Sequence, residues 1–235
     1  MKLVKGKRTV FGVLGLPRTG TTLLNNILNS YDNGFCISEP HWANILNPGS
    51  VRVDGVNVDC SNNGRIYENI NNIVDGEGYL IGGVKETFRE HQMASSNFIL
   101  NSPHVDVIIG IFREPVSGFN GWLRTNWKGY YVNHNNYIKS YRKLFDTLNT
   151  SNKKTVFLKY EKICEGSVGY LNSKLDEIGL ELEPLDGIKK TNYIFGDPTA
   201  NSGGIIKKPN VNNGNINQKI QKQICSELND IYLCI

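Results

Sequence analysis

Apolar residues along this chain fall into short continuous runs, separated by segments where they recur every three or four positions. Val10-Phe11-Gly12-Val13-Leu14 is one such run, about the length of a strand buried on both faces. Gly34-Phe35-Cys36-Ile37-Ser38, Tyr79 to Lys85, Val105 to Phe112 and Thr155 to Tyr160 read the same way. Helical spacing appears in Leu23, Leu24, Ile27 and Leu28, and again in Tyr137, Tyr141, Leu144 and Leu148. Phe119, Trp122 and Leu123 continue it, as do Leu171, Leu175 and Ile178, and Ile216, Ile220, Ile224 and Leu228. Helices are also predicted over Arg65 to Val74 and Thr87 to Leu100. Val51 to Val58 alternates around Asp54-Gly55, which predicts a β-hairpin inserted at residues 49–60. Strands alternating with helices imply an α/β, three-layer fold whose central, mainly parallel sheet is flanked by helices. The pattern has no repeat, so residues 1–235 are expected to form a single domain. Residues 186–215 form a long polar Gly- and Asn-rich stretch, the length of a functional covering loop.

The turn between the first run and the first helix is Gly15-Leu16-Pro17-Arg18-Thr19-Gly20. A strand, a glycine turn and a helix together aim backbone N–H groups at an anion. Gly15-x-x-x-x-Gly20-Thr21-Thr22 has P-loop spacing, with Thr21 where a triphosphatase keeps its Lys. That Lys reaches the β- and γ-phosphates, so a loop without it, but with a cation at Arg18, suits a shorter anion. In open α/β sheets ligands bind beyond the carboxyl ends of the strands. The polar residues that follow the predicted strands are Arg18, Glu39, Lys85, Arg113 and Tyr160-Glu161.

Composition narrows the partners. A net charge of +4 fits an anionic ligand and is too small to argue for nucleic acid. The 5 Cys are scattered with no C-x-x-C spacing, which argues against a zinc site or disulfide framework and for a reducing compartment. Met1 to Arg8 is basic without an apolar core, and no run approaches a membrane span. The expectation is a soluble, cytoplasmic chain with no metal site.

Pro17-Arg18-Thr19-Gly20-Thr21-Thr22 resembles the 5′-phosphosulfate loop, P-[KR]-[ST]-G-T-[ST], of the sulfotransferases that use 3′-phosphoadenosine 5′-phosphosulfate (PAPS). Its Arg form looks more like the tyrosylprotein and carbohydrate branches than the cytosolic branch. The resemblance implies transfer of a sulfuryl group to an acceptor hydroxyl on a glycan, a tyrosine or a small molecule, leaving 3′,5′-ADP. It implies that Arg18 supports the leaving oxygen and that the Thr19, Gly20, Thr21 and Thr22 segment cradles the 5′-phosphate. Glu39-Pro40-His41-Trp42 is similar to the family's Glu-Pro-x-Trp, which makes Glu39 a general base. His41 is the rival base. Lys85 resembles the family Lys that faces the sulfuryl group.

Arg113 and Pro115 match the family's 3′-phosphate segment, Arg-x-Pro with Ser eight residues after the Arg. That eighth position is Gly121 here, with Ser117 or Asn120 as substitutes for the hydroxyl. A plainer reading pairs Arg113 with Glu114 or Glu161. Leu158-Lys159-Tyr160-Glu161 resembles the segment whose Tyr touches the donor nucleotide, and Ser202 to Asn210, with Lys207, resembles a loop closing over it. Two alternatives stand beside this reading: a P-loop kinase, and a non-catalytic sulfonucleotide-binding module. No apolar run ends in the Asp that would hold Mg²⁺ for a kinase.

Overall fold

The computed structural model describes residues 8–31, 33–41, 50–53, 56–59, 61–62, 65–77, 81–90, 93–124, 133–165, 168–180 and 216–235. Trp42, the hairpin turn Asp54-Gly55, Trp127 and the 186–215 loop with Ser202 and Lys207 lie outside them.

The strands are β1 (Thr9–Gly15), β2 (Gly34–Ser38), β3 (Ser50–Val53), β4 (Val56–Asp59), β5 (Ile81–Thr87), β6 (Val107–Phe112) and β7 (Lys154–Lys159). The helices are α1 (Thr21–Leu28), α2 (Ile66–Glu77), α3 (Ala94–Asn101), α4 (Pro115–Leu123), α5 (His134–Asn149), α6 (Tyr160–Cys164), α7 (Val168–Asp176) and α8 (Gln218–Cys234). Five strands form one sheet in the order β2-β5-β1-β6-β7, and every pairing in it is parallel. The hairpin is there too: β3 and β4 pair antiparallel, with Val53 opposite Val56.

The strands of the sheet carry apolar residues on both faces, because helices cover both. One face carries Val10, Leu14, Val84, Ile108 and Phe112 against Ile66 of α2, Ile99 of α3, Trp122 of α4, Tyr137 and Leu144 of α5, and Ile224 of α8. The other carries Phe11, Val13, Ile109, Ile111 and Leu158 against Leu24 and Ile27 of α1 and Leu171 and Leu175 of α7. Alternate residues of β1 thus enter opposite halves of the core, as the period of two requires.

β1 is central. The chain leaves it for β2, steps back to β5, then crosses to β6 on the far side. The crevice beyond its carboxyl end is where such a sheet binds ligands.

Several boundaries differ from expectation, two of them next to the strand ends that matter most. The third run extends to Thr87 rather than stopping at Lys85, and its helix opens only at Ala94. The cause is the ladder: β5 is paired on both sides, Thr87 stands opposite Gly15, and the Phe88 amide still donates to the Gly15 carbonyl at 2.8 Å. Parallel pairing overrides local helical spacing there. At the last strand, Lys159 is the final residue and Tyr160 already opens α6. Among the described residues no helix is long and apolar enough to cross a membrane.

Ile109 is fully buried and stands in register with Val13 of β1 and Val156 of β7. Ile109→Ala is expected to lower stability by about 3 kcal/mol, read as a lower urea midpoint at unchanged slope.

Candidate active site

The turn after β1 is held by its carbonyls. Leu16 O accepts the Thr19 hydroxyl at 2.7 Å and the Thr19 amide at 3.3 Å. Pro17 O accepts the Trp122 indole N–H at 2.6 Å, and Arg18 O accepts Arg113 Nη1 at 3.1 Å. Two residues of the turn are left-handed, Arg18 at φ 68° and Gly20 at φ 91°. Gly20 has no substitute: a Cβ there would lie 2.2 Å from the Tyr160 ring. Gly20 is also the N-cap of α1, and no side-chain hydrogen bond caps that end. The first-turn amides and the positive end of the helix dipole are therefore offered to an anion. Thr21 is buried and Thr22 half-buried beside them.

On the β6 side, Arg113 follows the strand and meets this turn. Its Nε donates to Ser117 Oγ at 3.0 Å, its Nη1 reaches Arg18 O, and its Cζ lies 4.6 Å above the Tyr160 ring. The guanidinium fork carries more donors than these partners take. The plainer pairing also has a counterpart: Glu161 Oε1 is 3.9 Å from Arg113 Nε. Glu114 instead caps α4, accepting the Val116 and Ser117 amides at 3.0 and 2.7 Å, with Pro115 in the first turn. A Cβ on Gly121 would lie 3.0 Å from Arg18 Cβ and 3.7 Å from Arg113 Nη1. The missing serine thus marks the spot where the two cationic residues approach each other. Ser117, one turn earlier on the same helix, supplies the hydroxyl on Arg113.

On the β5 side, Glu39 follows β2 with φ 51°, and its amide donates to Lys85 O at 2.6 Å. Its Oε1 accepts both Lys85 Nζ, at 2.9 Å, and the Thr87 hydroxyl. The Lys85 side chain is 1% exposed and that of Glu39 13%. Burial pushes the Glu39 carboxyl up. The Lys85 charge, the Thr87 and Lys85 hydrogen bonds and the Arg89 charge outweigh it and leave the group below its ordinary 4.5. Glu39 is therefore ionised at neutral pH.

His41 has other surroundings. It is fully buried, its amide donates to Glu86 Oε1 at 2.7 Å, its Nε2 is 2.9 Å from Tyr67 OH, and its ring stacks on Phe98 at 4.7 Å.

The structure brings Arg18, Gly20, Arg113, Ser117 and Tyr160 together in one contact network, and joins Glu39 to Lys85. Thr87 and Trp122 were missed as site residues. Thr87 lies two residues beyond Lys85, hence on the same face of a strand. Trp122 reads as core, and it is buried, yet a buried indole N–H needs an acceptor, here Pro17 O.

Glu39→Gln leaves the buried Lys85 ammonium without its counter-charge, so stability should fall by on the order of 3 kcal/mol at neutral pH. Because the folded carboxyl titrates below the unfolded one, the contribution is complete above 4.5 and is lost as pH falls through the folded value. Urea unfolding of wild type and variant should converge in acid. Gly121→Ser overpacks the Arg18 turn and is expected to cost about 1–3 kcal/mol by the same measurement.

No protein-family profile matches the chain, and no curated protein matches it in sequence. Solved structures do match in fold. The sulfotransferase domain of the Synechococcus PCC 7002 olefin synthase superposes with a TM-score of 0.55 at 15% identity, covering 96% of this chain and 96% of that one. The sulfotransferase domain from the curacin biosynthetic pathway gives 0.54 at 15% identity, covering 96% and 99%. A sulfotransferase from Alicyclobacillus acidocaldarius gives 0.50 at 12% identity, covering 82% and 88%. With its parallel sheet, its helices on both faces and its glycine turn after the central strand, the chain has the α/β P-loop-type fold of these sulfotransferase domains.

Proposed function

We propose that this protein is a sulfotransferase that moves a sulfuryl group from PAPS to an acceptor hydroxyl. The observation that carries the reading is the lysine-free loop Gly15 to Thr22, with an uncapped helix end and Arg113 bonded directly to its Arg18 carbonyl. The fold neighbours described as sulfotransferases support it.

The residues present fit such a donor. Amides at the α1 end and the Thr21 and Thr22 hydroxyls suit a 5′-phosphosulfate, which needs no metal-bridged triphosphate site. Arg113, braced by Ser117 and Tyr160, keeps N–H donors for a 3′-phosphate, and a planar fork suits a phosphate bidentately. Ser202 and Lys207, outside the described residues, are assigned to the donor on the sequence resemblance alone. When bound, the donor supplies an electrophilic sulfur joined to a good leaving group, the 5′-phosphate oxygen.

The chain's own groups do the rest. Glu39, ionised and held through Oε1, accepts the proton of the acceptor hydroxyl as its oxygen bonds to sulfur. Arg18 and the loop amides would hold the donor's 5′-phosphate and take up the charge on its oxygen as that oxygen is displaced from sulfur in line. Lys85, 2.9 Å from Glu39, neutralises charge on the sulfuryl oxygens. A sulfate ester and 3′,5′-ADP result, with the proton on Glu39 passed to solvent. His41 is assigned to packing the Glu39 turn, given its Tyr67 and Phe98 contacts.

Calorimetry should find 3′,5′-ADP bound more tightly than ATP, and Arg113→Ala should weaken 3′,5′-ADP about ten- to a hundredfold, the worth of a charged hydrogen bond. Glu39→Gln should leave that binding intact while transfer from PAPS to hydroxyl acceptors falls about 10²–10⁴-fold. Preferential ATP binding with Mg²⁺-dependent turnover would overturn the reading in favour of a kinase. Intact transfer in Glu39→Gln would remove Glu39 as the base.

A further inference from the structure

The junction between β7 and α6, Lys159-Tyr160-Glu161, is gripped from outside by one side chain of α8. The Tyr232 hydroxyl donates to Glu161 Oε2 at 2.8 Å, and the Lys159 ammonium lies 4.9 Å from the centre of the Tyr232 ring. Tyr232 therefore touches both neighbours of Tyr160. Tyr160 in turn packs against Gly20 and underlies the Arg113 guanidinium.

Glu161 is the pivot. Its second oxygen, Oε1, accepts the Glu114 amide at 3.2 Å and stands 3.9 Å from Arg113 Nε, beyond a good hydrogen bond. With both oxygens engaged, the carboxylate stays alongside Arg113 without closing on it. Released from Tyr232, it could rotate into a bidentate pair with the same guanidinium and compete with any phosphate for it. Anchoring of α8 does not need Tyr232: Ile224 and Leu228 are fully buried, and Arg142 of α5 binds Glu227 at 2.6 Å. Its hydroxyl is thus placed for the junction rather than for packing the helix.

We propose that Tyr232 is a positioning residue for recognition of a ligand's 3′-phosphate: by holding Glu161 Oε2 it keeps the Arg113 fork open to that phosphate. The inference rests on the assignment of Arg113 to the 3′-phosphate.

The test is calorimetric binding of 3′,5′-ADP and of 5′-AMP, which lacks the 3′-phosphate, to the full chain. Tyr232→Phe keeps the ring and removes only the donor. It should weaken 3′,5′-ADP about three- to tenfold and leave 5′-AMP within about twofold. In a Glu161→Gln background, where no charged pair with Arg113 can form, Tyr232→Phe should have no further effect. That double variant also serves if the single one folds poorly. Equal weakening of both ligands, or none, overturns the proposal and marks Tyr232 as merely structural. Arg113→Ala is the separate control. If it fails to distinguish the two ligands, the 3′-phosphate assignment itself falls, and this inference with it. If it distinguishes them while Tyr232→Phe does not, only the inference falls.

Discussion

A loop that offers its amides to an anion must first dispose of its carbonyls. That constraint organises this molecule. Between β1 and α1, three successive carbonyls are tied back: Leu16 O by Thr19, Pro17 O by Trp122 and Arg18 O by Arg113. Two of the three donors come from the residue just after β6 and from α4, about a hundred residues away in sequence. With the oxygens turned inward, the backbone passes left-handed through Arg18 and Gly20, and the N–H groups at the start of α1 are left facing out. The parallel pairing of β6 with β1 exists in service of the same loop, because it sets Arg113 and Trp122 beside the turn.

The second concentration of cost is the Glu39–Lys85 pair. A fully buried ammonium is expensive, and a glutamate at φ 51° adds backbone strain of order 1–3 kcal/mol. Among the described residues, the non-glycine positions at positive φ are Arg18 and Glu39, and both follow carboxyl ends of sheet strands. Strain and buried charge thus gather at one edge of the sheet. The surrounding fold bears that cost through two apolar layers, one on each face of the sheet.

Much of the architecture was legible because the central strands are covered on both sides and so read as short apolar runs. Val105 to Phe112 is the plainest case, with β6 observed over Val107–Phe112. The 49–60 hairpin was legible for the opposite reason: its alternation around Asp54-Gly55 fits a two-residue turn, and its strands pair as that turn requires. The β5 boundary was not legible, since nothing local distinguishes Thr87 in a ladder from Thr87 in a helix. The strand-end rule singled out Arg18, Glu39, Lys85, Arg113 and Tyr160, and the structure places them at or just past the carboxyl ends of sheet strands, because a parallel sheet gathers those ends on one edge. It did not point to the contacts of Trp122 and Tyr232, which are single hydrogen bonds made across more than 70 residues.

The sequence by itself determined the element types, the parallel α/β class and the position of the glycine turn between β1 and α1, since all three rest on local periodicity and glycine spacing. Tertiary structure alone decided which groups meet. Only the sheet order puts β5 and β6 on either side of β1, so that Glu39 and Lys85 gather on one flank and Arg113 and Tyr160 on the other. It also decided that Gly121 lies against Arg18 and that a tyrosine on α8 reaches Glu161. The physical reason is that a hydrogen bond or ion pair is selected by distance in space, which neither spacing nor composition along a chain encodes.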